Sequence, residues 1–275
     1  MENLNKDIEN HYNKPDLFEE IIKRLIEKGI NQSAVTRSDI SGVDEFHVRG
    51  AAVSIELAGT INITGKKVLD IGCGLGGPCR MLAEEFNCTA TGIDLSNEYI
   101  RTAIAISRLV KLDDKTSFIQ GDATKLPFDD ASFDIVWTQH AQMNIPDKSR
   151  LYSEISRVLK SGGHFMYYDI FRKTDEEVTY PMPWAGSADM SFLITTEEMH
   201  QILSKFGLSA TSAIDQTDAG IHFFETMFTK MKEQGPPKIG LNILMGESTK
   251  PKLMNLADHL KRGVLMLQSG VHIKR

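Results

Sequence analysis

Val68-Leu-Asp70-Ile-Gly72-Cys73-Gly74-Leu-Gly76-Gly77 is the stretch on which the fold is decided. Its short apolar run reads as a buried strand, and the glycines behind it let backbone amides approach a ligand before a helix opens. Two ligand classes fit such a turn. Gly72, Gly74 and Gly77 satisfy the dinucleotide spacing G-x-G-x-x-G, with Asp94 at about the ~20-residue distance at which an acid holds a ribose.

Asp70 argues for the other class. A carboxylate ahead of the first glycine repels a pyrophosphate and attracts a cation. S-adenosylmethionine has no phosphate and carries an ammonium and a sulfonium, and its ribose hydroxyls suit Asp94, which ends the next apolar run, 89–93. Gly121-Asp122-Ala123-Thr124 then precedes Phe133-Asp134-Ile-Val136-Trp137, so acidic residues follow in the order such a ligand needs.

Asp70-Ile-Gly-Cys-Gly-Leu-Gly-Gly77, Gly92-Ile-Asp94-Leu95-Ser96, Gly121-Asp122-Ala123 and Phe133-Asp134-Ile-Val resemble the ordered motifs of class I S-adenosylmethionine-dependent methyltransferases. More narrowly, Val43-Asp-Glu-Phe-His47-Val-Arg49-Gly50, Gln139-His140-Ala-Gln-Met143-Asn144-Ile-Pro146-Asp147-Lys148 and Pro183-Trp184-Ala185 resemble the glycine, sarcosine and dimethylglycine N-methyltransferase-like branch. The resemblance implies an α/β fold: a doubly wound, seven-stranded, mainly parallel sheet whose last strand is antiparallel. It also implies one domain, with a helical lid over 1–65, a cofactor core over 66–217 and 263–275, a loop at 171–194 and a helical cap at 218–262. S-adenosylmethionine would be the donor and S-adenosylhomocysteine the product.

The chain of 275 residues is long enough to bury a sizeable core, and 41% hydrophobic with 25% charged residues is ordinary for a soluble protein. A net charge of −6 argues against a surface that tracks phosphates, so nucleic acid is not an expected partner. Cys73, Cys79 and Cys88 have neither zinc-knuckle nor disulfide-framework spacing, which fits a reducing cytoplasm, and no metal site is expected. No run of ~18 apolar residues and no leader pattern is present, so neither membrane spanning nor secretion is expected. The partner expected is a small molecule, with a monomer and a homodimer both left open.

Hydrophobic periodicity predicts an amphipathic helix over 16–28, a polar, turn-rich stretch to Gly42, and a helical segment over 51–57. Strands are predicted near 67–71, 89–94, 116–120, 133–138, 163–170, 208–214 and 264–271, with helices between them. Ser161-Gly162-Gly163 reads as a helix stop, Thr195-Thr-Glu-Glu198 as a capping box, and the segment through Pro181-Met-Pro183-Trp184 as a long loop.

Ligands of such sheets bind beyond the carboxyl ends of the strands, so Asp70, Asp94, Asp122 and the Gln139-His140 turn are expected at one crevice. Gly72, Gly74 and Gly76 are assigned to the methionine portion, Asp94 to the ribose diol, Asp122 and Ala123 to adenine, and Gln139 and His140 to the methyl group, with Leu95 counted among the cofactor-binding residues. A lone Asp is more often a helix cap or turn residue, but the ordered series makes that explanation weak. His140 and His47 are the candidate bases, because imidazole titrates near neutrality. A structural hydrogen bond competes equally with that role at His140 and outweighs it at His47.

Met143, Trp184 and Tyr168 are candidates to wall the acceptor pocket, aromatic faces attracting an ammonium-type substrate, although packing explains such residues at least as often. Arg49 or Arg172 is a candidate to hold an amino-acid carboxylate. The leading reading is methyl transfer to glycine, sarcosine or dimethylglycine. The alternative is a C- or O-methyltransferase of a quinol or isoprenoid-type molecule, which a large apolar pocket lined from 218–262 would favour; a tight pocket with an arginine would favour the amino acid. A nicotinamide-dependent oxidoreductase and a catalytically silent binding module complete the alternatives.

Overall fold

The computed structural model describes residues 2–12 and 14–275. Helices α1 (Glu2–Tyr12), α2 (Leu17–Glu27), α3 (Arg37–Asp44) and α4 (Ala51–Ala58) precede the sheet. Strand and helix then alternate through β1 (Lys67–Ile71), α5 (Gly77–Phe86), β2 (Thr89–Asp94), α6 (Asn97–Leu109), β3 (Thr116–Gln120), β4 (Phe133–Gln139), α7 (Lys148–Val158), β5 (Leu159–Arg172), α8 (Thr196–Lys205) and β6 (Leu208–Asp215). Helices α9 (Thr217–Gln234), α10 (Asn242–Met245) and α11 (Thr249–Lys261) intervene before β7 (Leu265–Lys274).

The strands form one sheet in the order β3-β2-β1-β4-β5-β7-β6, with β7 antiparallel to both of its neighbours. This is the seven-stranded, mainly parallel sheet expected from the alternating pattern. Strand β1 is central because Val68, Leu69 and Ile71 lose all solvent contact between helices on both faces. Reversal of winding between β1 and β4 opens a crevice at their carboxyl ends, where Asp70 and Gln139 emerge.

Three local readings are corrected. The amino-terminal residues, read only as polar and mixed in charge, form α1, which buries Ile8. The turn-rich stretch before Gly42 holds α3, whose Thr36 and Asp39 make a capping box. Helix α7 ends at Val158 rather than at the glycines, because Leu159 already pairs with Phe133 as β5 begins. Gly162 and Gly163 lie in the irregular start of that strand, and a Cβ on Gly163 would stand 2.9 Å from the Asp134 carbonyl oxygen. The Thr195–Glu198 capping box forms as read.

Among the described residues no helix is long and apolar enough to cross a membrane. Cys73, Cys79 and Cys88 are free and buried.

On β7 the buried His272 Nε2 lies 2.9 Å from His200 Nδ1 of α8, and burial, reinforced by His200, lowers the His272 pKa to about 4. The folded pKa is below the unfolded value, so this pair contributes stability above pH ~6.5 that is lost as pH falls toward 4. Denaturation titrations are expected to show the unfolding midpoint falling across that window, and His272→Phe is expected to flatten part of the fall. An unchanged slope would remove the pair from the account.

Candidate active site

One cavity lies over the carboxyl ends of β1, β2, β3 and β4. It gathers Asp70, Gly72, Gly74, Asp94, Leu95, Asp122, Ala123, Gln139, His140 and His47 of the residues singled out by sequence. Residues not singled out complete it. Asn5, Ile8, Glu9 and Tyr12 of α1 form its roof with Asp44 and Phe46, and Tyr99 and Asn144 line it as well.

Asp94 ends β2 with both oxygens engaged by the backbone: Gly74 N–H donates to Oδ2 and Ser96 N–H to Oδ1, each at 2.9 Å. The carboxylate therefore shapes the glycine loop as well as facing the cavity. Burial raises its pKa, and these N–H groups oppose the rise. Asp70 is buried at the tip of β1, where burial lifts its pKa to about 7; the Cys79 thiol, donating at 3.4 Å, opposes this and the Asp94 charge adds to it. Asp122 accepts from Thr124 N–H at 2.8 Å and, on its other oxygen, from Asn5 Nδ2 at 3.0 Å, which ties α1 to the β3 side.

Five carboxylates line the cavity (Glu9, Asp44, Asp70, Asp94 and Asp122), and among the described residues no Lys or Arg does. Asp44 is already paired with the buried Arg80, and concentrating the remaining acids in a desolvated place is costly unless a cation enters, so the donor set fits a positively charged ligand and opposes a pyrophosphate. S-adenosylmethionine, whose ammonium and sulfonium supply that charge, suits this lining.

The imidazoles of His47 and His140 stand with ring centroids 6.0 Å apart, and Tyr168 lies 5.0 Å beyond His140. Burial depresses both histidines, His47 to about 4, so both are neutral at pH 7. His140 sits at φ 49 just beyond β4, its N–H bonded to the Tyr168 carbonyl at 2.9 Å, and its Nε2 has no protein partner. Lys148 braces the turn that follows: its buried ammonium donates to the carbonyls of Gln142 and Phe192 at 2.7 Å and to that of Ile145.

Several expected residues lie elsewhere. Gly76 does not face the cavity: it opens α5 at φ 80, and a Cβ there would lie 2.4 Å from the Phe118 ring. Gly77 is required by the end of α3, since a Cβ would meet the Asp44 carbonyl. Met143 and Trp184 are core residues behind the wall, the indole bonded to Ser191 at 2.9 Å. Tyr168 is likewise buried behind His140.

Arg49 is drawn away from the cavity by Glu56 at 2.9 Å and Gln216 at 2.8 Å, and Arg172 lies beside Asp175. No residue of 218–262 lines the cavity either; that insert packs its apolar faces on the main core beside Met182 and Trp184. The two pocket features expected to separate an amino acid from an isoprenoid acceptor are therefore both missing from this cavity. Half of the residues that sequence reasoning passed over came from α1, where only the Ile8–Tyr12 spacing offers a signal.

Residues 69–167 match the family described as "Methyltransferase domain". Over 105 residues the chain is 42% identical to sterol 24-C-methyltransferase ERG6B of Gibberella zeae, covering 38% of this chain and 28% of that protein. It is 36% identical over 172 residues to the chloroplastic tocopherol O-methyltransferase of Arabidopsis thaliana, covering 60% of this chain and 49% of that one. The chain thus spans half the length, or less, of these curated relatives. A crystal structure of a putative sarcosine dimethylglycine methyltransferase from Galdieria sulphuraria superposes with a TM-score of 0.67 at 19% identity, covering 82% of this chain and 86% of the other, which shows a shared fold. The sheet order, the acids at its strand tips and the matched residues together give the chain the fold of class I S-adenosylmethionine-dependent methyltransferases.

Proposed function

We propose that the protein transfers a methyl group from S-adenosylmethionine to a small molecule, and that a hydroxylated ring or isoprenoid-type acceptor fits better than glycine, sarcosine or dimethylglycine. The observation that carries this reading is the cavity lined by five carboxylates and, among the described residues, by no Lys or Arg. A net-cationic donor suits it. An acceptor that brings its own carboxylate or diphosphate meets repulsion and finds no guanidinium, since Arg49 and Arg172 are engaged elsewhere. The sterol and tocopherol methyltransferase relatives support the same preference.

In this reading Asp94 holds the ribose diol and Asp122 with Ala123 meets adenine. Gly72, Gly74 and the amino terminus of α5 receive the methionine portion, its carboxylate on backbone N–H groups. The 1–65 arm closes as a lid, with Tyr12 donating to Asn144 at 2.9 Å and Asn5 to Asp122. When bound, S-adenosylmethionine supplies an electrophilic methyl; the protein's part is to align the acceptor, exclude water and take its proton on a neutral imidazole.

His140→Ala is expected to lower kcat by about 100-fold or more while S-adenosylhomocysteine affinity stays within about threefold. Incorporation of labelled methyl into glycine, sarcosine, dimethylglycine and a quinol precursor gives the measurement. Turnover equal to wild type would leave His140 a structural residue, and methylation confined to the glycine series would reverse the acceptor preference.

A further inference from the structure

We propose that Gln139 and His47 form a pair that reads a hydroxyl group on the methyl acceptor; this rests on the methyl-transfer reading above and narrows its substrate class to phenols and related alcohols. The inference begins at Trp137, whose indole Nε1 lies 2.9 Å from the Gln139 side-chain oxygen. An indole N–H can only donate, so the carboxamide must present its oxygen to Trp137. Ser54 Oγ lies 3.2 Å from the same oxygen. With the oxygen held on that side, the amide NH2 is what Gln139 offers elsewhere. Gln139 lines the cavity, and its Nε2 is buried with no protein partner.

His47 is fixed by the same network. Its Nε2 lies 3.1 Å from the Gly50 carbonyl oxygen, 3.1 Å from Ser54 Oγ and 3.2 Å from Glu45 Oε2. A carbonyl only accepts, so Nε2 carries the ring proton and Nδ1 keeps its lone pair. Burial holds the imidazole neutral at pH 7, which preserves that lone pair. His47 also lines the cavity, and Ser54 is the hydroxyl that links it to Gln139.

One oriented donor and one oriented acceptor therefore belong to two side chains that Ser54 Oγ joins and that line the same cavity. A hydroxyl satisfies both, giving its hydrogen to Nδ1 and accepting from the amide. A carboxylate can only accept and meets the Nδ1 lone pair; a tertiary amine has no hydrogen to give and needs its lone pair for the methyl. A buried donor left without an acceptor is costly, so such a site rejects an analogue that lacks the matching oxygen.

The test is calorimetry on the full-length protein saturated with S-adenosylhomocysteine, under anaerobic conditions, with 2-methyl-1,4-hydroquinone and its dimethyl ether as probes. The hydroquinone is expected to bind at least about tenfold tighter than the ether. Gln139→Met removes a donor that the oxygen of either probe can use, so it is expected to weaken hydroquinone binding by about tenfold while S-adenosylhomocysteine affinity changes by less than about twofold; the preference for the hydroxyl is read by His47 Nδ1 and is expected to disappear in His47→Phe. Ser54→Ala, which frees both side chains without touching the cavity, is expected to erase part of it.

Equal or undetectable binding of the two probes overturns the pair. So does a loss of S-adenosylhomocysteine affinity in Gln139→Met as large as its loss for the hydroquinone, because the amide would then serve the cofactor. Should Gln139→Met fail to fold, an unchanged preference in Ser54→Ala overturns the pair on its own. The wider methyl-transfer reading fails separately, if the wild-type protein binds no S-adenosylhomocysteine.

Discussion

Asp94→Asn is expected to weaken S-adenosylhomocysteine binding by about 2–3 kcal/mol, roughly 30- to 150-fold, in a calorimetric titration. Two effects combine. The carboxylate proposed to hold the ribose diol loses its charge, and hydrogen bonds to a charged group are the stronger kind. The substitution also places an NH2 against one of two backbone donors, Gly74 N–H or Ser96 N–H, each now held at 2.9 Å. The glycine loop must then shift to relieve that clash, so its backbone no longer meets the methionine portion in register. Because the carboxylate shapes the loop, a lowered melting temperature is expected alongside the lost affinity. Binding within about threefold of wild type would remove Asp94 from the cofactor site.

Arg80→Ala is expected to cost about 3–5 kcal/mol of stability, read from denaturant unfolding. The Arg80 guanidinium is fully buried, donates to Asp44 Oδ2 at 2.9 Å, and bonds further to Ser107 Oγ at 3.1 Å and the Leu75 carbonyl at 2.5 Å. Removing it strands the Asp44 carboxylate, which is also buried, and leaves a cavity between α5 and α6. Asp44 stands at the end of α3 over Gly77, so the same change loosens the roof of the cofactor cavity. Cofactor affinity is expected to fall together with stability. Arg80→Met paired with Asp44→Leu, which leaves no stranded charge, is expected to recover part of the stability; a single-variant loss below about 1 kcal/mol would show that the pair is not desolvated.

Much of the architecture could be read locally. The largely apolar runs at 68–71, 89–93 and 133–137 are short, the first two ending at a glycine and an acid, and burial between helices on both sheet faces favours that composition. The acids and glycines that end these runs follow the same logic, which is why Asp70, Gly72, Asp94, Asp122 and His140 meet at one cavity. Local rules misled where another contact had priority. Glycines at 162 and 163 look like a helix stop, but pairing of Leu159 with Phe133 starts the strand first. Gly76 looks like a ligand glycine, but the Phe118 ring sets the need for it.

By itself, the sequence determined the order of the strands along the chain, the glycine turn and the row of acids, because hydrophobic periodicity and backbone freedom act over a few residues. Only the tertiary structure decided what covers and tunes the cavity. Helix α1 reaches it through Asn5–Asp122 and Tyr12–Asn144, contacts between residues 117 and 132 positions apart that no local pattern announces. Arg49 was drawn to Glu56 instead of a substrate, and the carboxamide of Gln139 was turned by an indole beneath it. Which way a buried polar side chain points depends on the partners that remain after water is removed, and those partners are chosen by the packed molecule as a whole.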